Sequence, residues 1–447
     1  MTSIRFSNLS RGVAVVALAA TLGACGLFGG DGPKTTPTVG ERKPVLSRIE
    51  SGASVDASLA EVAVVVPPAQ TNDAWPQAGG TASKSYGHLT LADAPSQVWT
   101  AQIAGGGERR RLAAAPVVGG GMLYAVDTDG VVHAFDAATG ARRWSHRMEL
   151  AGNVQNAAFG GGASYNGGRL YITNGVGEVA ALEAETGSEI WKVKPAGPLR
   201  GSPTIAFNSV YVMTQDNQIH ALDAATGQSK WNESGSQTAA GVFGVAAPAA
   251  GQGTVIAGYS SGELSAYRYE NGQFLWSDAL ARTSISTEVG SLTDIDADPI
   301  IDGGRVYALG QGGRMAAYEL VTGQRIWELN VAGISTPAIA GEWIFALTDD
   351  AKLLAIARAS GKVRWITQLS RYRDEEDREG AIFWTGPVLA GGNLWIASTE
   401  GQIYKVGLAD GAANLFRDLD KPVSLAPVVA NNMLYLLDDE GTIHAFR

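Results

Sequence analysis

The sequence predicts an all-β fold: an eight-bladed β-propeller with four-stranded antiparallel blades, closed into a ring by an N-terminal strand. Three observations predict it. A unit of four strand-length segments recurs along the chain, and each unit ends on an aromatic anchor, at Trp99, Trp144, Trp191, Trp231, Trp276, Trp327, Trp365 and Phe416. The segment Gln97-Val98-Trp99-Thr100 reads as a fourth strand with no three strands before it, whereas the last copy stops at Phe446-Arg447, where its own fourth strand is due. A period of about 40 to 50 residues with four strands per unit marks sheets stacked around an axis, each burying faces that no unit could bury alone. Lending the missing strand from the other end removes an open edge.

The clearest copy runs from Ala115-Pro116-Val117-Val118 through Met122 to Val126 and Val131 to Asp136, then Ala137-Ala138-Thr139-Gly140 and on to Trp144. The frame returns from Ser202-Pro203 to Trp231 and from Asp298-Pro299 to Trp327, with weaker copies ending at Trp191, Trp276, Trp365 and Phe416. Each element has a structural rationale. The aspartates Asp136 and Asp223 cap the turn before the fourth strand, and Gly140 and Gly227 supply its left-handed residue. The tryptophans offer a flat apolar face to pack between blades and an indole N–H that needs a carbonyl. The pairs Asp127/Asp129 and Asp349/Asp350 fall at hairpin tips, where turn carboxylates are ordinary and no calcium-loop spacing is present. A content of 57 glycines, 45% hydrophobic and only 17% charged residues suits many short buried strands joined by tight turns.

A formal charge of -10 argues against nucleic acid, which requires a basic face. The one basic run, Arg109 to Arg111, reads as a solvated loop. The single cysteine, Cys25, excludes an internal disulfide and a Cys-rich zinc site. It ends a stretch with Arg5 and Arg11, an apolar run from Val13 to Leu22, and the small residues Gly23 and Ala24, which reads as a signal peptide over residues 1–24. Leu22-Gly23-Ala24-Cys25 resembles the bacterial lipobox, which implies cleavage before Cys25 and acylation, palmitate included, at that residue. Several acyl chains make a stable anchor where one binds only reversibly. Residues 25–72, rich in Pro, Gly, Ser, Thr and Ala, read as a flexible tether, with Val62 to Val66 more readily free than docked. The propeller is expected over 73–447.

The repeat with Ala-x-Asp-x-x-Thr-Gly-x-x-x-Trp spacing resembles that of pyrroloquinoline-quinone enzymes and their non-catalytic relatives, and Trp75-Pro76-Gln77-x-Gly79-Gly80 resembles their entry segment. With the lipobox and the eight units, the chain from about Trp75 onward is most similar to the BamB family of lipoproteins of the outer-membrane β-barrel assembly machinery. The most particular stretch is Ser286 to Asp296, with its Ser-Thr-Glu and Leu-x-Asp-x-Asp pattern. The resemblance implies a non-catalytic scaffold, anchored at the periplasmic face of the outer membrane, that binds the BamA POTRA domains and assists β-barrel insertion. Other lipoproteins of the complex are further implied partners; direct binding of unfolded outer-membrane proteins at an exposed blade edge by strand addition is a separate hypothesis, which the sequence does not distinguish from a purely architectural role. It places the POTRA contact on Asp294 and Asp296, with Leu292 beside them and Phe243 in a second loop, Gly241 to Gly244, where the family's arginine is missing.

The rival from another class is a quinone-dependent dehydrogenase. No nucleophile-base arrangement stands out, and a lone cysteine cannot supply the adjacent-cysteine disulfide on which many such enzymes stack their quinone, so neither a cofactor nor a metal is expected. His133, His220 and His444 hold equivalent third-strand positions, as repetition requires. The charged loop from Arg371 to Glu379 reads as a solvated insertion. Cys25→Ser is expected to leave an uncleaved or soluble precursor, to be checked by membrane fractionation and mass spectrometry of the amino terminus; normal anchoring of that variant would overturn the lipoprotein reading.

Overall fold

The computed structural model describes residues 52–107, 110–149, 160–199, 201–236, 246–280 and 294–447. Among them there is no α-helix, and eight four-stranded antiparallel sheets follow one another as blades. Blade one consists of Val117–Gly119, Met122–Val126, Val131–Asp136 and Arg142–Arg147, paired in that order. Blades two to seven repeat the plan. The eighth takes Val428–Ala430, Met433–Leu437 and Thr442–Phe446 from the end of the chain and its outer strand, Gln97–Gln102, from the beginning. In that strand Trp99 pairs with Ala445 and Thr100 with His444, so the ring closes as the repeats required.

The innermost strands are short, mostly three residues, and face the axis; the second and third strands are almost wholly buried. The outer strands alternate between covered and exposed positions because only one of their faces meets a neighbouring blade. A small residue prepares each of those meetings. Ala134, Ala181, Ala221, Ala266, Ala317, Ala355 and Ala445 lie directly opposite Trp144, Trp191, Trp231, Trp276, Trp327, Trp365 and Trp99. A register shift follows each pair, and such a bulge adds the local twist that turns the indole toward the next blade.

There the indole meets a glycine. Trp231 of blade three donates its Nε1–H to the Tyr269 carbonyl of blade four at 3.0 Å, and a Cβ on Gly272 (φ +72°) would lie 2.7 Å from its ring. The same contact recurs from blade to blade with donor distances of 2.8–3.2 Å, including Trp99 of blade eight on the Ala137 carbonyl and Gly140 of blade one. Tyr124, Tyr171 and Tyr435 donate to the same carbonyls as the tryptophans of their own blades. Phe416 is the exception for a physical reason. Blade eight has no turn between its third and fourth strands, since these come from opposite parts of the chain, and so offers no carbonyl for an indole. A phenyl ring packed edge-on to Trp395 and Phe446 leaves no N–H unsatisfied.

The entry segment runs around the inner strands of the ring. From Asn72 to Leu89 it bonds in turn to the inner strands of seven blades: Asn72 to Val429, Trp75 to Val118, Pro76 to Tyr165, Gln77 to Ile205, Ala82 to Ala250, Ser83 to Ile301 and Leu89 to Leu389. Pro67 lies against Gly341 of blade six and completes the circuit. Lys84 is buried within it, donating to the Ala78 carbonyl at 2.9 Å and Thr204 Oγ1 at 3.1 Å, with Asp298 Oδ2 at 4.0 Å.

The tether expected up to residue 72 is therefore shorter than its composition suggested. Asp56 N–H donates to the Val363 carbonyl on the outer strand of blade six at 2.8 Å, and its carboxylate pairs with Lys362 at 3.1 Å. Arg364 holds the Val62 carbonyl at 2.7 Å, while Val64 and Val66 pack on the core of blades six and seven. A composition poor in regular period still carries alternate valines, and these find a groove that only the assembled ring supplies. The charged insertion folds into a separate hairpin of Tyr372–Asp374 and Glu379–Ala381.

Gly272→Ala is expected to cost roughly 2–4 kcal/mol, from left-handed strain and overlap with the Trp231 ring. In a Trp231→Ala background the overlap is gone and the added cost should fall to about 1 kcal/mol. Denaturant unfolding of the four members of this cycle checks it; strict additivity would show that the indole and the glycine are not coupled.

Candidate functional site at the mouth of the central cavity

Against the entry segment lies a cavity of about 540 Å³. Trp75, Ala78, Gly79 and Tyr86 of the entry segment line it, together with the residues that lead into the inner strands, among them Pro116, Ser202, Ala247, Thr336, Pro387 and Pro427. Its walls are mostly apolar or small, and the charged side chains lining it are Asp296, Asp298 and Arg111.

The two sequence-predicted aspartates sit on the segment entering blade five. Ile295 N–H donates to the Tyr259 carbonyl of blade four at 3.2 Å, and the Asp294 carbonyl accepts from Gln311 N at 2.9 Å. The Ile295 side chain occupies the space over Gly258, where a Cβ would come within 2.5 Å of it. The segment is thereby wedged between blades. The segment is irregular, so residues two apart do not share a face: Asp294 is buried, at 2% exposure, and Asp296 is partly exposed on the cavity wall. Only Asp296 can offer its carboxylate directly to a partner.

Its electrostatics are unusual. Burial, with Asp294 and Asp349 as negative neighbours, raises the Asp296 carboxyl to about 7. Burial and the adjacent Asp350 raise Asp349 to about 6, opposed by a backbone hydrogen bond from Ile334. Among the described residues no cation stands within ion-pair distance of Asp296. Asp298, two residues on, is provided for: it accepts from Ala247 N at 2.8 Å and faces Lys84. Burial raises the Asp298 carboxyl and lowers the Lys84 amine, while their mutual attraction opposes both shifts.

Leu292, Phe243 and Cys25 lie outside the described residues. The three repeated histidines do not meet at the axis. His133 Nε2 binds Asp127 at 2.7 Å, His444 Nε2 binds Asp438 at 2.9 Å and His220 Nε2 binds Gln218 at 3.2 Å, each within its own blade. Asp127 also accepts from the Asp129 and Val131 amides, as a hairpin-tip carboxylate does. Among the described residues no three His, Cys, Asp or Glu side chains are grouped to hold a metal ion. The arginine run divides: Arg110 pairs with Asp129 at 2.5 Å, whereas Arg111 lines the cavity.

Sequence reasoning missed two apolar residues at the mouth. Ile334 and Phe383 line the cavity, yet are 49% and 64% exposed. Phe383 follows the charged hairpin directly, which was the available signal; Ile334 had none, standing in an ordinary connector between blades.

Eight four-stranded blades, each with an aromatic anchor on its outer strand and seven of them reaching that strand through a turn with a left-handed glycine, define a propeller of the pyrroloquinoline-quinone repeat class. Within it, the model of a family described as outer membrane protein assembly factor BamB matches residues 77–158, 147–367 and 368–447, and the chain belongs to that family. An outer membrane protein assembly factor BamB from Yersinia pestis is 27% identical over 358 residues, covering 79% of this chain and 89% of that protein. The crystal structure of BamB from Moraxella catarrhalis superposes with a TM-score of 0.64 at 19% identity, covering 79% of this chain and 97% of that one. Quinohemoprotein alcohol dehydrogenase from Comamonas testosteroni superposes with a TM-score of 0.66 at 14% identity, over 87% of this chain and 84% of that one. At these identities the two superpositions establish the shared fold alone.

Because the folded state holds the Asp296 proton up to about pH 7 while the unfolded chain releases it near 4, this group's contribution to stability declines as pH rises between those values. Asp296→Asn should therefore melt with the wild type below pH 4 and a few °C above it at pH 8. Scanning calorimetry at fixed scan rate across that range checks it; equal melting points at pH 8 would refute the raised value.

Proposed function

We propose that this protein is a non-catalytic scaffold of the outer-membrane β-barrel assembly machinery, held at the periplasmic face of the outer membrane by acylated Cys25. Its partners in this reading are the BamA POTRA domains and the other lipoproteins of the complex. The observation that carries it is the match of the BamB family model along the ring from residue 77 to 447. The chemistry is consistent: a rigid ring presents connecting loops without an ordering cost at each encounter, and the cavity mouth offers a desolvated carboxylate where a partner's cation would be welcome. The quinone-dehydrogenase alternative draws only on a shared fold, which does not carry function.

The POTRA contact is assigned to the segment ending in Asp296. The burial of Asp294 changes how this is tested, since a lysine or arginine there would force a longer, cationic side chain into the space of a buried carboxyl and disturb the wedge itself. Asp296→Arg, on the cavity wall, is the better probe. It is expected to weaken binding to the purified periplasmic domains of BamA at least about tenfold, with β-rich circular dichroism unchanged; full affinity in that variant would move the interface to another loop. Failure of any assembly component to co-purify with the wild type from outer membranes would refute the scaffold reading itself.

A further inference from the structure

We infer that an arc of exposed apolar side chains on the outer rim of blades four to six is a membrane-contact surface, resting on the lipid bilayer to which the chain is anchored. The inference rests on the reading of Cys25 as an acylated residue and adds to it the side of the ring that the lipid meets.

The blade-to-blade contact makes the arc continuous. Phe274 and Leu275 precede Trp276, whose ring lies on Gly323 and whose N–H reaches the Leu320 carbonyl, so they border the blade-five turn that carries Val321. Ile326 precedes Trp327, which makes the same contact with Gly361 and the Arg358 carbonyl of blade six. Two residues beyond that glycine, Val363 pairs with Val55 of the segment that brings the chain to the ring. The same segment runs on to Gly341, with Val64 and Val66 packed on the core and Val65 between them in water. Val321 is 75% exposed, Val65 70% and Phe274 53%.

The repeat does not demand these side chains. Where blade five has Val321, blades one and three have Ala138 and Ala225. Where blade four has Phe274 and Leu275, blade one has Arg142 and Arg143 and blade three has Ser229 and Lys230. An apolar run of this extent on one side of the rim gains from being covered.

The course of the chain says what covers it. Among the described residues the chain first meets the ring at this arc, with Ala53 packed on blades five and six and the Asp56 N–H bonded to the Val363 carbonyl. Residues 25–51 alone separate the arc from the acylated cysteine, and a coil of that length spans on the order of 30 Å. The anchor therefore holds the arc at high effective concentration beside the bilayer, where modest apolar contacts suffice. Charges bordering the arc are paired already, Arg325 with Asp278 and Glu328, and Lys362 with Asp56. The contact is thus apolar and insensitive to salt, which suits a chain of net charge -10.

The test uses the acylated full chain reconstituted into vesicles of phosphatidylethanolamine with a minor share of phosphatidylglycerol. Because the one native cysteine is acylated, a nitroxide label can be placed on single cysteines introduced as Val65→Cys, Val321→Cys, Ala138→Cys and Glu376→Cys. Ala138 is the equivalent turn position of blade one and Glu376 lies in the charged hairpin; both are exposed. Vesicles are expected to lower collision of a neutral nickel chelate with labels at 65 and 321 by at least about threefold, at low and high salt, and to leave 138 and 376 unchanged. Phe274→Ser with Ile326→Ser should restore most of the collision at 321 while β-rich circular dichroism and flotation with vesicles persist. Equal protection at 321 and 138, protection lost at high salt, or protection indifferent to the double variant would overturn the inference. So would protection at 321 that needs purified assembly components and not lipid, which would give the arc to a protein partner. Flotation separates this inference from the reading beneath it: a chain that does not float refutes the anchor and the contact together, whereas one that floats with 65 and 321 fully accessible refutes the contact and leaves the anchor standing.

Discussion

The ring depends on one contact repeated at seven of its eight junctions: the tryptophan of an outer strand lies on a left-handed glycine of the next blade and gives its N–H to a carbonyl of the same turn. A four-stranded sheet alone has two faces to cover and cannot do so by itself, so each blade is stable only against its neighbours. The contact makes that dependence specific. The indole fits because the glycine has no Cβ, because a small alanine stands opposite it in its own sheet, and because a bulge tilts it outward. Burial of the aromatic face drives association, and the N–H bond fixes its geometry, since an unsatisfied indole donor would offset much of the gain.

Closure carries the same contact across the break in the chain. Trp99 on Gly140 joins the eighth blade to the first by the interaction used elsewhere, so the ring has no weaker chemistry at its seam. Phe416 marks the one junction where the acceptor turn does not exist. The entry segment adds a second kind of closure, made of main-chain bonds to the inner strands, with buried Lys84 satisfying a carbonyl, a hydroxyl and a carboxylate. It also supplies part of the cavity wall, through Trp75, Ala78, Gly79 and Tyr86.

The fold was legible because its signals are periodic and local. Turn chemistry at Asp136, Thr139 and Gly140 is set by neighbours in sequence, and Asp136 does accept from the Ala138 and Thr139 amides. The site was legible only in part. Asp294 and Asp296 stand out by their pattern, but two residues apart on an irregular connector they divide into one buried and one wall-facing carboxylate, a difference set by Ile295 wedging over Gly258. Ile334, Asp349 and Phe383 come from three separate connectors and carry no motif. The docking of Val64 and Val66 was equally hidden, because the groove they fill is made by blades whose strands lie some three hundred residues further along.

By itself the sequence determined the number of blades, the strand order within them and the origin of the last outer strand, because each follows from short-range patterning repeated until no other arrangement buries it. Only the tertiary structure decided that the entry segment bonds to the inner strands of seven blades, that one aspartate of the pair is withdrawn, and that a carboxylate and two apolar side chains line one cavity. These are matters of distance between residues remote in the chain, and burial and Coulomb energy depend on that distance alone.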